Sequence, residues 1–123
     1  MTRQSRLGST GEDLAAEVLR AAGVTILARN WRPSGGELRG ELDLVGRVDT
    51  TLVVCEVKAR QGADIESALM AVTERKQYRL RLLARRFMQE SGVRPRAVRF
   101  DVIGLHWDLD AAAPRIVHIE GAF

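Results

Sequence analysis

The strongest constraint on the fold lies in two neighbouring stretches and the short link between them. Gly40-Glu41-Leu42-Asp43-Leu44-Val45 alternates with the period of a strand, and Leu52-Val53-Val54-Cys55 is an unbroken apolar run. The connection through Asp49-Thr50-Thr51 is tight, which predicts an antiparallel hairpin. Side chains two apart on a strand share a face, so Glu56 and Lys58, which close the apolar run, project together. Asp43, on the preceding strand, can sit beside them.

The rest of the chain reads as elements packed around that hairpin. Ser9 or Thr10 can cap a first helix, with Glu12 in capping-box position; Leu14, Ala15, Val18, Leu19 and Ala22 then recur at helical spacing, and Gly23 is a stop. Residues 24 to 30 read as a strand, followed by the turn Arg32-Pro33-Ser34-Gly35-Gly36. After a loop at Gln61-Gly62-Ala63, Leu69, Met70 and Val72 belong to a short helical piece. Thr73 caps a longer helix with Leu80, Leu83, Ala84, Phe87 and Met88 facing the core, ended by Gly92 and Pro95. Residues 97 to 105 alternate as a strand and 116 to 119 add an edge strand, giving α-β-β-β-α-β-β with no internal repeat or linker.

At 123 residues the chain makes one domain with a real core, spanning 1–123, with the core at about 8–105 and the edge strand at about 115–120. No stretch approaches the ~18 apolar residues of a membrane span, and no apolar signal region follows Met1-Thr2-Arg3-Gln4-Ser5-Arg6. The lone Cys55 excludes a disulfide within the chain, so a reducing cytoplasm is the simplest compartment. Residues 73 to 96 carry eight basic residues against two acidic ones, a net +6 that leaves −3 for the remainder. That segregation marks a footprint for a phosphate backbone, with Arg75 and Arg79 among its members, although a basic solvated helix face or Arg-rich codon usage produces the same count.

Lysine usage sharpens the picture. Only Lys58 and Lys76 are lysines among nineteen basic residues. Arg stays protonated, whereas Lys can give up its proton when desolvated. Two carboxylates and an ammonium converging from Asp43, Glu56 and Lys58 suit Mg²⁺ (or Mn²⁺), which binds through one or two carboxylates and keeps several waters. A metal so held polarises a phosphodiester and lowers the pKa of a bound water, and a nearby Lys orients that water or stabilises the transition state. The same residues admit a plainer account: an exposed ion pair on a strand, worth ~0 to 1 kcal/mol, and for Glu12 a capping-box carboxylate.

At these residues the chain resembles the PD-(D/E)xK nuclease superfamily, whose restriction-endonuclease-like and Holliday-junction-resolvase-like members share an α-β-β-β-α-β core. More closely, it resembles the bacterial YraN family. The match runs through Gly11-Glu12, Arg29-Asn30, Gly40-Glu41-Leu42-Asp43-Leu44-Val45, Glu56-Val57-Lys58-Ala59-Arg60, Lys76 and Arg99-Phe100-Asp101-Val102. The resemblance implies an α/β fold with a mixed central sheet flanked by helices. It implies that Asp43, Glu56 and the Val57 backbone carbonyl are metal ligands, that Lys58 is the catalytic cation, and that Glu12 completes the metal shell. By the same resemblance Arg60 holds a phosphate oxygen and Lys76 contacts the nucleic-acid backbone. The superfamily's leading Pro is absent, with Leu42 before Asp43.

The functional expectation is a metal-dependent endonuclease acting on structured or single-stranded DNA, with a homodimer attractive for branched substrates. Two alternatives stand beside it: a nucleic-acid-binding module of this fold without turnover, and a protein-interaction subunit whose acidic cluster meets a basic partner. Asp101 is expected to pair with an Arg or to end the sheet's polar face rather than to bind metal, His106 and His118 to be ordinary surface or edge residues, and Trp31 and Trp107 either to cover a core edge or to stack on an unpaired base.

Overall fold

The computed structural model describes residues 3–61, 72–108 and 112–123, with side chains in the first stretch from residue 10 to residue 60. In chain order the elements are α1 (Arg3–Ala21), β1 (Thr25–Trp31), β2 (Leu42–Val48), β3 (Thr51–Gln61), α2 (Glu74–Ser91), β4 (Ala97–Trp107) and β5 (Arg115–Ile119). The expected loop at Gly62-Ala63 and the helical piece at Leu69 and Met70 fall outside the described residues.

The five strands form one sheet in sequence order, β1-β2-β3-β4-β5. β1–β2, β2–β3 and β4–β5 are antiparallel, whereas β3 and β4, joined by the crossover that contains α2, are parallel. The hairpin expected from the Asp49-Thr50-Thr51 link is present, with Val48 paired to Thr51 and Asp49 at a φ of 51° in the turn.

Alternation along β3 divides the core in two. Val53 and Cys55 pack with Ala15, Ala16 and Leu19 of α1 and with Leu44, Ile103 and Leu105. Leu52 and Val54 pack on the other face with Leu80, Leu83, Ala84 and Phe87 of α2 and with Val45 and Phe100. The molecule is therefore an α/β/α sandwich, and successive β3 residues belong to different helices.

α2 follows its local signals. Thr73 accepts a hydrogen bond from the Lys76 amide at 3.2 Å, and Gly92, at a φ of 78°, closes the helix by donating to the Met88 carbonyl at 3.0 Å. α1 departs from the expected cap. It runs from Arg3 through Ser9 and Thr10 in spite of Gly8 and Gly11, so the amides a capping box would satisfy lie within the helix. Glu12 consequently lies well inside the helix, and the capping-box role does not apply. A Cβ at Gly11 would lie 3.2 Å from both Ala59 Cβ and Leu105 Cδ1, so glycine lets α1 approach the sheet at this level.

Trp31 meets Phe87 edge-on at 5.3 Å and Trp107 packs against the α1-side core, the edge-covering alternative for both tryptophans. Asp101 is fully buried and pairs with Arg99 itself, receiving Nε at 2.9 Å and a terminal guanidinium nitrogen at 3.0 Å; it also meets His118 Nε2 at 2.8 Å and the Gly121 amide at 3.1 Å. His106 corrects the surface expectation. β5 pairs along β4, leaving His106 only 5% exposed, with Nδ1 3.0 Å from an Arg115 guanidinium nitrogen and Nε2 without a hydrogen-bond partner among the described residues.

Candidate active site where the β2–β3 ladder ends

The β2–β3 ladder runs from Val48–Thr51 to Leu44–Cys55, and β3 then continues beside β4 alone as far as Gln61–Trp107. The site lies at this fork. Past Cys55 the β3 backbone has no β2 partner, and the Val57 amide donates instead to Asp43 Oδ2 at 2.9 Å. On a strand a residue's N–H and C=O point to the same edge, so the Val57 carbonyl also faces the fork. Glu56 lies beside Asp43 on the α2 face, continuing the row of Leu52 and Val54, and is 7% exposed.

Two lysines approach Glu56. Lys76, in the first turn of α2, places Nζ 2.7 Å from Glu56 Oε1, while Lys58, one pleat further along β3, places Nζ at 3.9 Å from the same oxygen. The expected role of Lys76 as a backbone contact therefore meets a different position: its ammonium is engaged on the carboxylate. A signal for this was present, because Lys76 lies four and seven residues before Leu80 and Leu83, on the core-facing stripe of α2.

Burial, then the neighbouring Glu56 carboxylate, pushes the Asp43 carboxyl from 3.8 up to about 7; the Val57 amide opposes this, and Glu12 and Glu41 add to it. Burial and the adjacent Lys76 ammonium hold Lys58 below the ordinary lysine value despite the Glu56 charge. Lys76 goes the other way: burial pulls it down, but contact with Glu56 outweighs this and the net shift is upward. Of the two lysines, Lys58 gives up its proton more readily and Lys76 is the fixed counter-charge.

The remaining sequence candidates surround this centre. Glu12 contributes to the field at Asp43, while its Oε2 accepts from Asn30 Nδ2 at 3.0 Å and lies 4.0 Å from the Arg29 guanidinium. Asn30, at a φ of 51°, is thus a positioning residue that sequence reasoning left unassigned. Arg60 is exposed and donates to its neighbour's carbonyl, Ala59 O, at 3.0 Å. Arg75 and Arg79 are exposed on α2, away from its buried stripe.

Among the described residues no group of three or more His, Cys, Asp and Glu side chains is arranged to hold a metal ion. The donors that fit are a pair, Asp43 and Glu56, with the Val57 carbonyl beside them. Two carboxylates whose mutual repulsion already raises Asp43 make a donor set of the kind Mg²⁺ accepts, since that ion keeps much of its water.

The fold and its fork define an α/β protein with a restriction-endonuclease-like core. The family model described as "Uncharacterised protein family UPF0102" matches residues 11–105, a span that contains every candidate site residue. The chain belongs to this family, in agreement with the motif resemblance to the YraN proteins. It is 46% identical over 123 residues to a UPF0102 protein of Parafrankia sp. (strain EAN1pec), covering 100% of both chains. It is 43% identical over 122 residues to one from Streptomyces coelicolor, covering 98% of this chain and 91% of the relative. A third, from Acidothermus cellulolyticus, is 45% identical over 128 residues, covering 95% and 92%. Among the described residues no helix is long and apolar enough to cross a membrane.

Proposed function

We propose that this protein is a nucleic-acid-binding protein and a Mg²⁺-dependent endonuclease, hydrolysing phosphodiester bonds in structured or single-stranded DNA. The observation that carries the reading is the fork itself, where Asp43 and Glu56 sit side by side, largely buried, with Asp43 pushed up to about 7 and Lys58 adjacent. A module that only binds phosphate gains nothing from clustered carboxylates, which repel it.

Asp43, Glu56 and the Val57 carbonyl would hold the metal, with Glu12 outside them. A divalent ion there supplies Lewis acidity toward a phosphate oxygen and a bound water of lowered pKa. Among the chain's own groups Lys58 is the reactive one: its Nζ, held below the usual lysine value, can orient the attacking water or donate to the pentavalent phosphate. Lys76 holds the Glu56 carboxylate in place and offsets its charge. Arg60, at the exposed end of β3, holds a phosphate oxygen of the same strand.

One observation favours a second reading. Lys76 Nζ at 2.7 Å already neutralises Glu56, the state suited to a nucleic-acid-binding module of this fold without turnover. The test is cleavage of single-stranded, duplex, flap and four-way-junction DNA in Mg²⁺ and Mn²⁺ by wild type and Lys58→Ala. Cleavage that disappears in the variant, with binding retained, supports the nuclease. Binding without cleavage by either protein supports the module, and failure to bind any nucleic acid at low salt overturns both.

A further inference from the structure

Both walls of a second feature lead directly into the site. A cleft of about 290 Å³ lies between the segment Glu37-Leu38-Arg39 and the face of α2 that carries Arg75, Tyr78 and Arg79. Arg39 is four residues before Asp43, and Arg75 precedes Lys76. Tyr78 is 66% exposed, the most exposed large hydrophobic residue among those described. An aromatic ring left in water on a helix whose other face fills the core is available surface for another flat, apolar group.

The arginines of the cleft differ from Arg81 and Arg86 of the same helix, though not from Arg85, which is exposed outside the cleft. Arg81 lies over the Phe100 ring at 4.8 Å, and Arg86 is bonded to Glu90 at 2.8 Å and to the Gly35 carbonyl at 2.9 Å, so both are engaged within the molecule. Among the described residues Arg39, Arg75 and Arg79 have no ion-pair partner, although Glu37 lines the same cleft. The wall is held in place. Leu38 packs against the α2-side core, and Gly40, at a φ of 119°, brings the backbone to where a Cβ would lie 3.5 Å from Arg79 Cδ and 3.1 Å from Leu83 Cδ1. Only glycine accepts that backbone without strain, so the cleft exists before any ligand arrives.

We propose that this cleft binds an unpaired nucleobase stacked on Tyr78, with Arg39, Arg75 and Arg79 on the flanking phosphates, so that the strand presented to the fork is single-stranded. Base–aromatic stacking is tolerant of sequence, while three cations beside one ring supply the charge that a polyanion needs. A base stacked in a duplex cannot offer its face to a side chain. The inference rests on the nucleic-acid reading above and narrows it to flaps, single-stranded ends or the open strands of a junction.

The experiment measures binding in Ca²⁺ or EDTA, by fluorescence anisotropy of labelled oligonucleotides, so that turnover is irrelevant. The probes are a single strand, a duplex, and a single strand lacking its bases; the proteins are wild type, Tyr78→Ala and Tyr78→Trp. Tyr78→Ala is expected to weaken single-strand binding about tenfold while changing duplex and base-free binding little, and Tyr78→Trp to restore it. Wild-type binding of the single strand with no loss in Tyr78→Ala, or an equal loss on the base-free strand, overturns the cleft assignment and leaves the nucleic-acid reading standing. Absence of binding by wild type to any probe at low salt overturns both.

Discussion

Ionising Asp43 destabilises the metal-free protein, and replacing it by Asn should reveal how much. The carboxyl rises from 3.8 to about 7 on folding, chiefly through burial and then through Glu56. Between those two values the folded protein keeps a proton that the unfolded chain has released, so stability falls as pH rises through the window and the full cost is present above it. At about 1.4 kcal/mol for each tenfold change in the ionisation constant, the cost above pH 7 is about 4 kcal/mol. The amide introduced by Asp43→Asn would keep an oxygen for the Val57 N–H and remove the charge. Asp43→Asn should therefore be more stable than wild type at pH 8.5 by up to about 4 kcal/mol, roughly 15 °C in Tm for a domain of this size. At pH 5 the advantage should shrink to about 2 kcal/mol, because the wild-type carboxyl is then protonated when folded. The assay is urea and thermal unfolding of both proteins in EDTA at the two pH values. A variant less stable than wild type at pH 8.5, or a difference independent of pH, would refute the reasoning. Millimolar Mg²⁺ should raise the Tm of wild type and leave that of the variant unchanged.

Three further outcomes follow from other parts of the structure. Lys76→Ala removes the cation nearest Glu56 and should lower stability by about 1–2 kcal/mol, read by urea unfolding; the half-exposed ammonium keeps this below the loss of a fully buried partner. Asp101→Asn leaves the Arg99 guanidinium without its fully buried carboxylate and weakens the pairing to His118, a change of about 3–5 kcal/mol that should appear as a large drop in urea midpoint. Gly46→Ala would press a Cβ into Val24 and to 2.9 Å from the Thr25 carbonyl, beside the register shift between Ile26 and Ala28; about 2 kcal/mol or more should be lost, measured by thermal unfolding.

The parts of this protein that were legible in its sequence are those governed by neighbours along the chain. The hairpin follows from a period of two and a short polar link, and α2 from a Thr73 cap, a 3.6-residue apolar stripe and Gly92, all contained within about twenty residues. That Glu56 and Lys58 share a face is likewise a consequence of strand geometry. What the text of the chain left open depends on where separate elements meet. The start of α1 did not follow its apparent cap, since a cap acts only on free amides and those it would satisfy lie within the helix. Lys76 reaching Glu56 requires the crossover to set α2 over β3. The approach of Glu12 to Asp43 depends on how closely α1 can lie against the sheet, which Gly11 decides. The burial of His106 and the openness of Tyr78 were set by what covers each of them, β5 in one case and nothing described in the other. Sequence periodicity assigns a side chain to a face; the tertiary packing determines which other charges share that face and whether water reaches it, and those determine its pKa.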